Sequence, residues 1–296
     1  MFIQLCKELC FPPESLPVFE KAYVTVKENS EINALFEAAQ KSLLHPNIVA
    51  FKEATEKITE ITDIHPYTLN VLLCVSSLDS LRKAHKEAGM EERLDAETGR
   101  LCGEILSCKK NFGVWGVKKG FWQWMFHELN CITLGRLEYE PFHHFRDIQY
   151  GGIKKGDPVI LIHIPGGSPL NMDEVEESLE RAYDYFKGRF DGETVPFITH
   201  SWLIYPPFLN GVFKEGGNVQ KFAKLFDIID ENTSEFHNFP NVFGCAYPGE
   251  NLSKVPQETT LQRNMLKYIM QGNFMGEGYG IFFYGKNGIV KNNSVT

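Results

Sequence analysis

The chain has 296 residues, of which 43% are hydrophobic and 23% are charged, and its formal net charge at pH 7 is -8. This composition is typical of a folded globular protein, and the negative charge disfavours a general attraction to nucleic acid or to an anionic membrane surface. No apolar run in the sequence approaches the length that crosses a bilayer, so no membrane association is expected.

The N-terminus and the cysteines predict a cytoplasmic protein. The first ten residues, MFIQLCKELC, lack the basic start, the long apolar centre and the small-residue cleavage site of a signal peptide. The seven cysteines are scattered and odd in number, which favours free thiols in a reducing compartment over a disulfide framework. Cys6 and Cys10 lie one helical turn apart, but no matching Cys or His pair completes a zinc set, so no metal is expected.

Up to about residue 130 the hydrophobic pattern has a helical period. A stripe of apolar residues between positions 32 and 43 predicts one amphipathic helix, which ends before His45-Pro46. Residues 69–75 are apolar on nearly every side, so this segment is predicted to be a central helix of the helical half. The sequence therefore predicts an all-helical N-terminal domain over residues 1–130.

Near Cys131 the period changes from helical to alternating. Residues 132–140 are predicted to form one strand with Arg136, Glu138 and Glu140 on the same face, and residues 142–150 its partner. A mixed α/β domain is predicted over residues 131–296.

A strand, a glycine loop and a helix follow one another between residues 158 and 188. Residues 159–164 form a short apolar run, interrupted by His163, that predicts a buried strand. Prolines and glycines at 165–169 end the strand, and Asn171 can cap the helix that follows. Such a unit presents backbone N–H groups at the carboxyl end of its strand, so the active site is expected here.

The remaining segments complete the predicted sheet. Residues 195–205 form a second largely apolar strand that ends at Pro206-Pro207, and a short strand is predicted at Ile228-Ile229. Thr259 and Gln262 have the spacing of a capping box, and a hairpin closes the domain. The glycine-rich residues 276–280 follow no predicted strand and are interpreted as a flexible approach to that hairpin.

This order of elements resembles the GNAT N-acyltransferase fold. More closely, the chain is similar to bacterial acyltransferase domain-containing proteins, in which a helical N-terminal domain precedes a GNAT-like C-terminal domain. The expected fold class is therefore α+β. Four stretches carry the resemblance: LGRLEYE (134–140), HIPGGSPL (163–170), SWL (201–203) and TTLQR (259–263).

The resemblance implies transfer of an acyl group from coenzyme A to an amine or a similar nucleophile. In GNAT enzymes two neighbouring strands splay apart, the pantetheine arm lies between them, and loop amides hold the pyrophosphate. By position the splayed strands would be residues 159–164 and 197–204. The residues expected to contact the cofactor are Ile164, Gly166, Gly167, Ser168 and Leu170, whereas Pro169 has no N–H to give.

Two features of the loop depart from the usual GNAT pattern. Most GNAT enzymes carry an Arg or Gln followed by spaced glycines here, and this sequence does not. In addition, Asp173, Glu174, Glu176 and Glu177 crowd the helix start. If these carboxylates point toward the loop they repel a pyrophosphate, and if they point to solvent their charges are screened.

Acyl transfer to an amine requires a base for the amine proton, a donor to the carbonyl oxygen and a proton source for the thiolate. His163 is the candidate base, the alternative being a core histidine satisfied by backbone. Glu138 and Glu140 share a face with Arg136 and are further candidates for the base, the alternative being a surface salt-bridge ladder with Arg136. The resemblance implies that Tyr205 protonates the thiolate. His200 and Ser201 are consecutive strand residues, so only one of them can face the cleft.

The sequence thus predicts a cytoplasmic acyl-CoA-dependent N-acyltransferase. Acetyl-CoA or another acyl-CoA is the expected acyl donor, with acetyl preferred, and a small amine is the expected acceptor. The competing hypothesis is a non-catalytic protein that uses the same fold to bind or sense a small ligand. The departures in the glycine loop motivate that alternative, and the oligomeric state is left open.

Overall fold

The computed structural model describes residues 2–45, 47–90, 94–118, 120, 130–166, 168–233, 238–249 and 251–290. The chain divides into two compact units. One comprises residues 1–133 together with 166–168, and the other comprises residues 134–165 together with 169–296. No helix in the described ranges has both the length and the apolar character needed to span a membrane.

The described residues of the first unit are mainly helical. Its helices are α1 (Phe2–Glu8), α2 (Leu16–Glu28), α3 (Ser30–Leu44), α4 (Ile48–Ile61), α5 (Pro66–Ser76), α6 (Leu78–Glu87) and α7 (Leu94–Phe112).

Helix α5 is the central helix that the sequence predicts. All residues from Thr68 to Val75 are buried, because the helix is apolar on every side and its neighbours surround it. Its polar Asn70 donates a hydrogen bond of 2.8 Å to the carbonyl oxygen of Val117, which satisfies the buried amide. The predicted stripe of α3 is confirmed as well, with Ile32, Phe36 and Leu43 in the core.

The second unit is built on a mixed sheet. Its strands are β1 (Ile132–Leu134), β2 (Leu137–His143), β3 (Pro158–His163), β4 (Thr194–Ser201), β5 (Asp227–Thr233), β6 (Gly276–Gly285) and β7 (Gly288–Val290). The order in the sheet is β1-β2-β3-β4-β6-β5, with β7 paired to β6. The helices are α8 (Met172–Phe186), α9 (Pro206–Gly211), α10 (Asn218–Ala223), α11 (Phe239–Phe243) and α12 (Thr260–Met270).

The start of the sheet differs from the sequence prediction. Residues 132–140 form two strands and not one, because the chain turns at Gly135, whose φ of 76° suits glycine. The partner of β2 is β3, with Glu138 opposite His163. The predicted strand over 142–150 is wrong beyond His143, since that segment leads into an irregular connection to β3.

Helix α8 covers one face of this sheet. Its N-terminus is capped by Asn171, whose side chain accepts from the N–H of Asp173. On the buried side of α8 the Ser178 hydroxyl lies 2.8 Å from the Tyr139 hydroxyl and also donates to the carbonyl oxygen of Leu134. The Tyr139 ring in turn contacts the ring of Phe197 on β4. These contacts fix α8 against β2 and β4.

The opposite face of the sheet carries an apolar layer that becomes polar toward the carboxyl ends of β3 and β4. The irregular connection between β2 and β3 covers the apolar part with Tyr150 and Ile153. The layer itself contains Val159, Leu161, Ile198, Tyr279, Ile281 and Phe283.

The glycines at 276, 278 and 280 are part of strand β6, so their interpretation as a flexible approach is wrong. A Cβ atom at Gly278 would lie 2.6 Å from the carbonyl oxygen of Ile204, and one at Gly280 would lie 2.8 Å from Cβ of Phe226. The missing side chains therefore let the one-turn segment Trp202–Ile204, which follows β4, lie directly on β6.

Candidate active site

Strands β3 and β4 are parallel neighbours that pair over a very short distance. The described ladder between them consists of two Cα pairs, Ile160 with Phe197 and Leu161 with Ile198. On the outer sides, β2 stays paired to β3 as far as His163, and β6 stays paired to β4 as far as Ser201. The ladder between the two central strands therefore ends before their carboxyl ends, where the chain continues from β3 toward the glycine loop.

A side chain bridges the point at which these strands separate. The Thr199 hydroxyl on β4 donates a hydrogen bond of 3.0 Å to the carbonyl oxygen of Ile162 on β3. Both residues are buried. The hydroxyl thus replaces a backbone ladder bond and closes the inner end of the opening.

His163 lies on one edge of this opening, on the sheet face opposite α8. Its Nε2 atom is 2.8 Å from Oε2 of Glu140, and both side chains are about one-fifth exposed, at 22% and 18%. Glu140 lies on β2, where the register places it diagonally from His163. The imidazole of His163 therefore has a side-chain partner, the Glu140 carboxylate, and does not depend on the backbone alone for its hydrogen bonds.

His200 lies on the other edge, at the position equivalent to His163. Each histidine is two residues beyond the Leu161–Ile198 pair of the parallel ladder, so their side chains are on the same face of the sheet. Glu277 on β6 places its Oε2 atom 3.2 Å from His200 Nε2, and it also accepts a hydrogen bond of 2.7 Å from Asn238. The opening is therefore flanked by two histidine–carboxylate pairs.

Burial lowers the pKa of His200 from its ordinary value of 6.5, and the positive charge of Arg146 lowers it further. The negative charges of Glu277 and Asp230 act in the opposite direction but are outweighed. His200 is therefore neutral at pH 7 and able to accept a proton.

These causes give an expected titration result. Glu277→Gln removes a charge that favours the imidazolium, so the pKa of His200 should fall further. Arg146→Gln removes an opposing positive charge, so the pKa should rise. The ring resonances of His200, followed by NMR against pH, measure both shifts, and shifts in the same direction for the two variants would contradict this account.

A second layer holds His200 in place. The Tyr279 ring is 6.3 Å from the imidazole of His200, and its hydroxyl lies 2.7 Å from Nδ1 of the buried His144. His144 Nε2 lies 2.7 Å from the carbonyl oxygen of Ile148, which can only accept, so Nε2 carries a proton. With the ring proton on Nε2, Nδ1 of His144 is placed to accept from the Tyr279 hydroxyl. Phe145 places its ring 6.2 Å from that of His200.

The other catalytic candidates lie in different surroundings. Glu138 is buried on β2 opposite His163, on the same face as the two histidines. Tyr205 follows the Trp202–Ile204 turn, and its ring, only 6% exposed, packs edge-on against Phe208. The roles of His163, Glu138 and Tyr205 in catalysis stay predictions.

The glycine loop connects β3 to α8, as the sequence predicts. Ile164 directly follows the last residue of β3, Gly166 and Ser168 lie in bends, and Leu170 is buried just before the helix cap. Gly167, which is also predicted to contact the cofactor, lies outside the described residues. The assignment of this loop to cofactor binding stays a prediction.

The carboxylates at the start of α8 are exposed. Asp173, Glu176 and Glu177 line an open groove of about 740 Å³ that runs along α8 to the β6–β7 turn. Glu177 also forms an ion pair with Arg181 one turn later on the same helix. Solvent screens charges in such a position, so their effect on an anion at the loop is small.

The pairing of His200 with Glu277 is the main feature that sequence reasoning missed. Glu277 lies 77 positions further along the chain, in the segment that was interpreted as flexible. If residues 276–285 are predicted as a strand that pairs with β4, the sequence also predicts that Glu277 lies close to His200.

Three similar solved structures are a point mutant of an acyltransferase in complex with octanoyl-CoA, an acyltransferase in complex with decanoyl-CoA and teicoplanin, and an acyltransferase in complex with decanoyl-CoA. The first two each have a TM-score of 0.71 and 17% sequence identity, and the third has 0.68 and 19%. In each case the alignment covers 94% of this chain and 86% of the other.

At such low identities these likenesses establish a shared fold, and the α+β fold that the sequence predicts is confirmed. No protein in a curated set of sequences matches the chain significantly. Residues 131–282, just over half of the chain, match the family described as the GNAT-like C-terminal domain. With a helical region before that domain, the chain belongs to the family of proteins with a GNAT-like C-terminal domain.

Proposed function

We propose that this protein is an acyl-CoA-dependent N-acyltransferase that transfers an acetyl group to a small amine. The observation that carries the proposal is the separation of β3 and β4 beside the glycine loop, with a histidine–carboxylate pair on each edge. Complexes of the similar acyltransferases with acyl-CoA support a thioester donor, and the complex that also contains teicoplanin supports an acceptor other than a protein or a nucleic acid.

In the proposed reaction the pantetheine arm lies in the opening, and the acceptor approaches from the face that carries the histidines. His200 removes a proton from the amine, whose nitrogen attacks the thioester carbonyl carbon. The tetrahedral intermediate collapses by breaking the carbon–sulfur bond, which leaves the amide and the thiolate of coenzyme A. Tyr205 remains the proposed proton donor to this thiolate, as the resemblance implies.

His200 is preferred over His163 as the base for two reasons. Burial lowers the pKa of His200 and so favours its neutral form. Its Nε2 atom is close to the Glu277 carboxylate but does not form a hydrogen bond with it, because the geometry is not aligned. His163 is instead held by Glu140 in a hydrogen bond of 2.8 Å. His163 and Glu138 then serve to position the acceptor, which arrives as an ammonium ion and is attracted by the carboxylates. The ammonium ion releases one proton to solvent before the attack, and His200 takes the second proton as the amide forms.

A short acyl group is favoured by the inner end of the opening. The Thr199 hydroxyl bridges β4 and β3 there, and the buried aromatic rings of Tyr139 and Phe197 fill the α8 side. On the other face the apolar layer is already covered by Tyr150 and Ile153. An acyl chain directed inward would have to displace these groups, so acetyl is preferred over longer chains.

Thermal unfolding with and without acetyl-CoA tests the donor. At a concentration one hundredfold above the dissociation constant, binding should add about 2.7 kcal/mol to the free energy of unfolding. For a unit of this size that corresponds to an increase in Tm of about 5–10 °C. Octanoyl-CoA and free coenzyme A serve as comparisons, and release of the thiol in the presence of amines then measures turnover.

The alternative function is a non-catalytic sensor of a small ligand, which the missing basic residue in the glycine loop favours. A sensor would show no increase in Tm with any acyl-CoA and an increase with another metabolite. Binding of acyl-CoA without thiol release for any amine would likewise contradict the transferase proposal.

A further inference from the structure

The glycine loop contains no cation of its own. Residues 164–170, IPGGSPL, include neither Lys nor Arg, and the helix that follows begins with carboxylates. Within the loop, only backbone N–H groups can therefore bind a diphosphate, and Pro169 has no N–H to donate. A positive charge from another element would therefore decide how strongly the diphosphate is held.

Arg136 brings such a charge to the loop. It lies in the tight turn between β1 and β2, immediately after Gly135, whose positive φ forms that turn. Its Nε atom donates a hydrogen bond of 3.0 Å to the carbonyl oxygen of Pro169. This bond fixes the guanidinium at the point where the loop enters α8, although the two residues are 33 positions apart in the chain.

The charges around Arg136 are compatible with a phosphate. Among the residues that the structure describes, Glu174, in the first turn of α8, and Glu138, on β2, act on its guanidinium through their negative charges. Glu174 is exposed and Glu138 is buried. A diphosphate carries more charge than one exposed carboxylate and can compete with Glu174 for the guanidinium, whose planar fork suits two phosphate oxygens at once.

We propose that Arg136 binds the diphosphate of coenzyme A beside Pro169 and Leu170, and so replaces the basic residue that the glycine loop lacks. This inference rests on the proposed function, because it names a residue that binds the donor of that reaction. It also explains how an anionic substrate is accepted next to an acidic helix start.

Two thioesters separate this role from a structural one. Acetyl-CoA carries the diphosphate, whereas acetyl-pantetheine carries the same reacting group without it. Arg136→Gln should lower kcat/KM for acetyl-CoA by about 10- to 100-fold, the loss expected for a charge-assisted contact, and leave kcat/KM for acetyl-pantetheine unchanged. Arg136→Lys keeps the charge but not the fork, and should lose less.

Matched variants on α8 serve as controls. Arg181→Gln removes an exposed arginine that pairs with Glu177, and it should leave kcat/KM for both thioesters unchanged. Glu174→Gln removes the competing carboxylate, and should lower KM for acetyl-CoA by roughly two- to fivefold. The Tm of each variant is measured in parallel.

The possible results point in different directions. The inference is overturned if each Arg136 variant lowers kcat/KM for acetyl-CoA and for acetyl-pantetheine by the same factor. Such a result would mark Arg136 as a structural support of the loop. A loss that disappears with acetyl-dephospho-CoA would also overturn it, because Arg136 would then bind the ribose phosphate. If the wild-type protein uses neither thioester, the proposed function itself fails.

Discussion

Replacing His200 with asparagine is expected to lower kcat for acyl transfer by about 100- to 10,000-fold, the range that general acid–base catalysis contributes. Asparagine keeps a polar side chain of similar size beside Glu277 but cannot take the amine proton. The Tm should change little, because the imidazole has no aligned hydrogen bond to lose. Steady-state release of coenzyme A with a fixed amine measures the effect.

The matched control is His163→Asn on the opposite edge of the opening. It removes the hydrogen bond to Glu140, and it should raise KM for the amine more than it lowers kcat. If His163→Asn causes the greater loss of kcat and His200→Asn the smaller one, the base is His163, as the sequence alone predicts. Parallel losses of Tm and kcat at either position would mark that histidine as a packing residue.

The second large effect is expected on stability. Gly278→Ala places a Cβ atom 2.6 Å from the carbonyl oxygen of Ile204. Both the new Cβ and this oxygen are attached directly to the backbone, so no side-chain rotation can relieve the clash. Overpacking of this kind costs about 1–3 kcal/mol, so the Tm should fall by about 2–12 °C. The shift of the Trp202–Ile204 turn should also reduce activity, because that turn directly follows β4, the strand of His200.

Gly188→Ala is the control for this substitution. Gly188 lies in the same unit, its φ is not positive, and no atom lies within 4 Å of an added Cβ. Its Tm should therefore stay within a few degrees of wild type. An equally small change for Gly278→Ala would show that the turn does not lie directly on β6.

Much of this molecule followed from local patterns in the sequence. The short apolar run of β3, the glycine loop and the Asn171 cap of α8 are all local features, and so is the capping box of Thr259 and Gln262 that begins α12. Local features can be read from sequence because backbone preference and side-chain period act over a few residues. The family resemblance then implied that the strands at 159–164 and 197–204 are neighbours, which periodicity does not contain.

Other features of the site were decided by contacts between distant segments. His200 meets Glu277, and Arg136 meets the carbonyl oxygen of Pro169, through strand pairing and packing across the sheet. The alternating glycines of β6 do not reveal a strand in the sequence, because they serve to admit the neighbouring Trp202–Ile204 segment, which lies far from them along the chain. The sequence by itself therefore determined the helical and strand segments and the loop, since these depend on neighbouring residues. Only the tertiary structure decided which charged groups share the opening between β3 and β4, because electrostatic partners are set by distance in space.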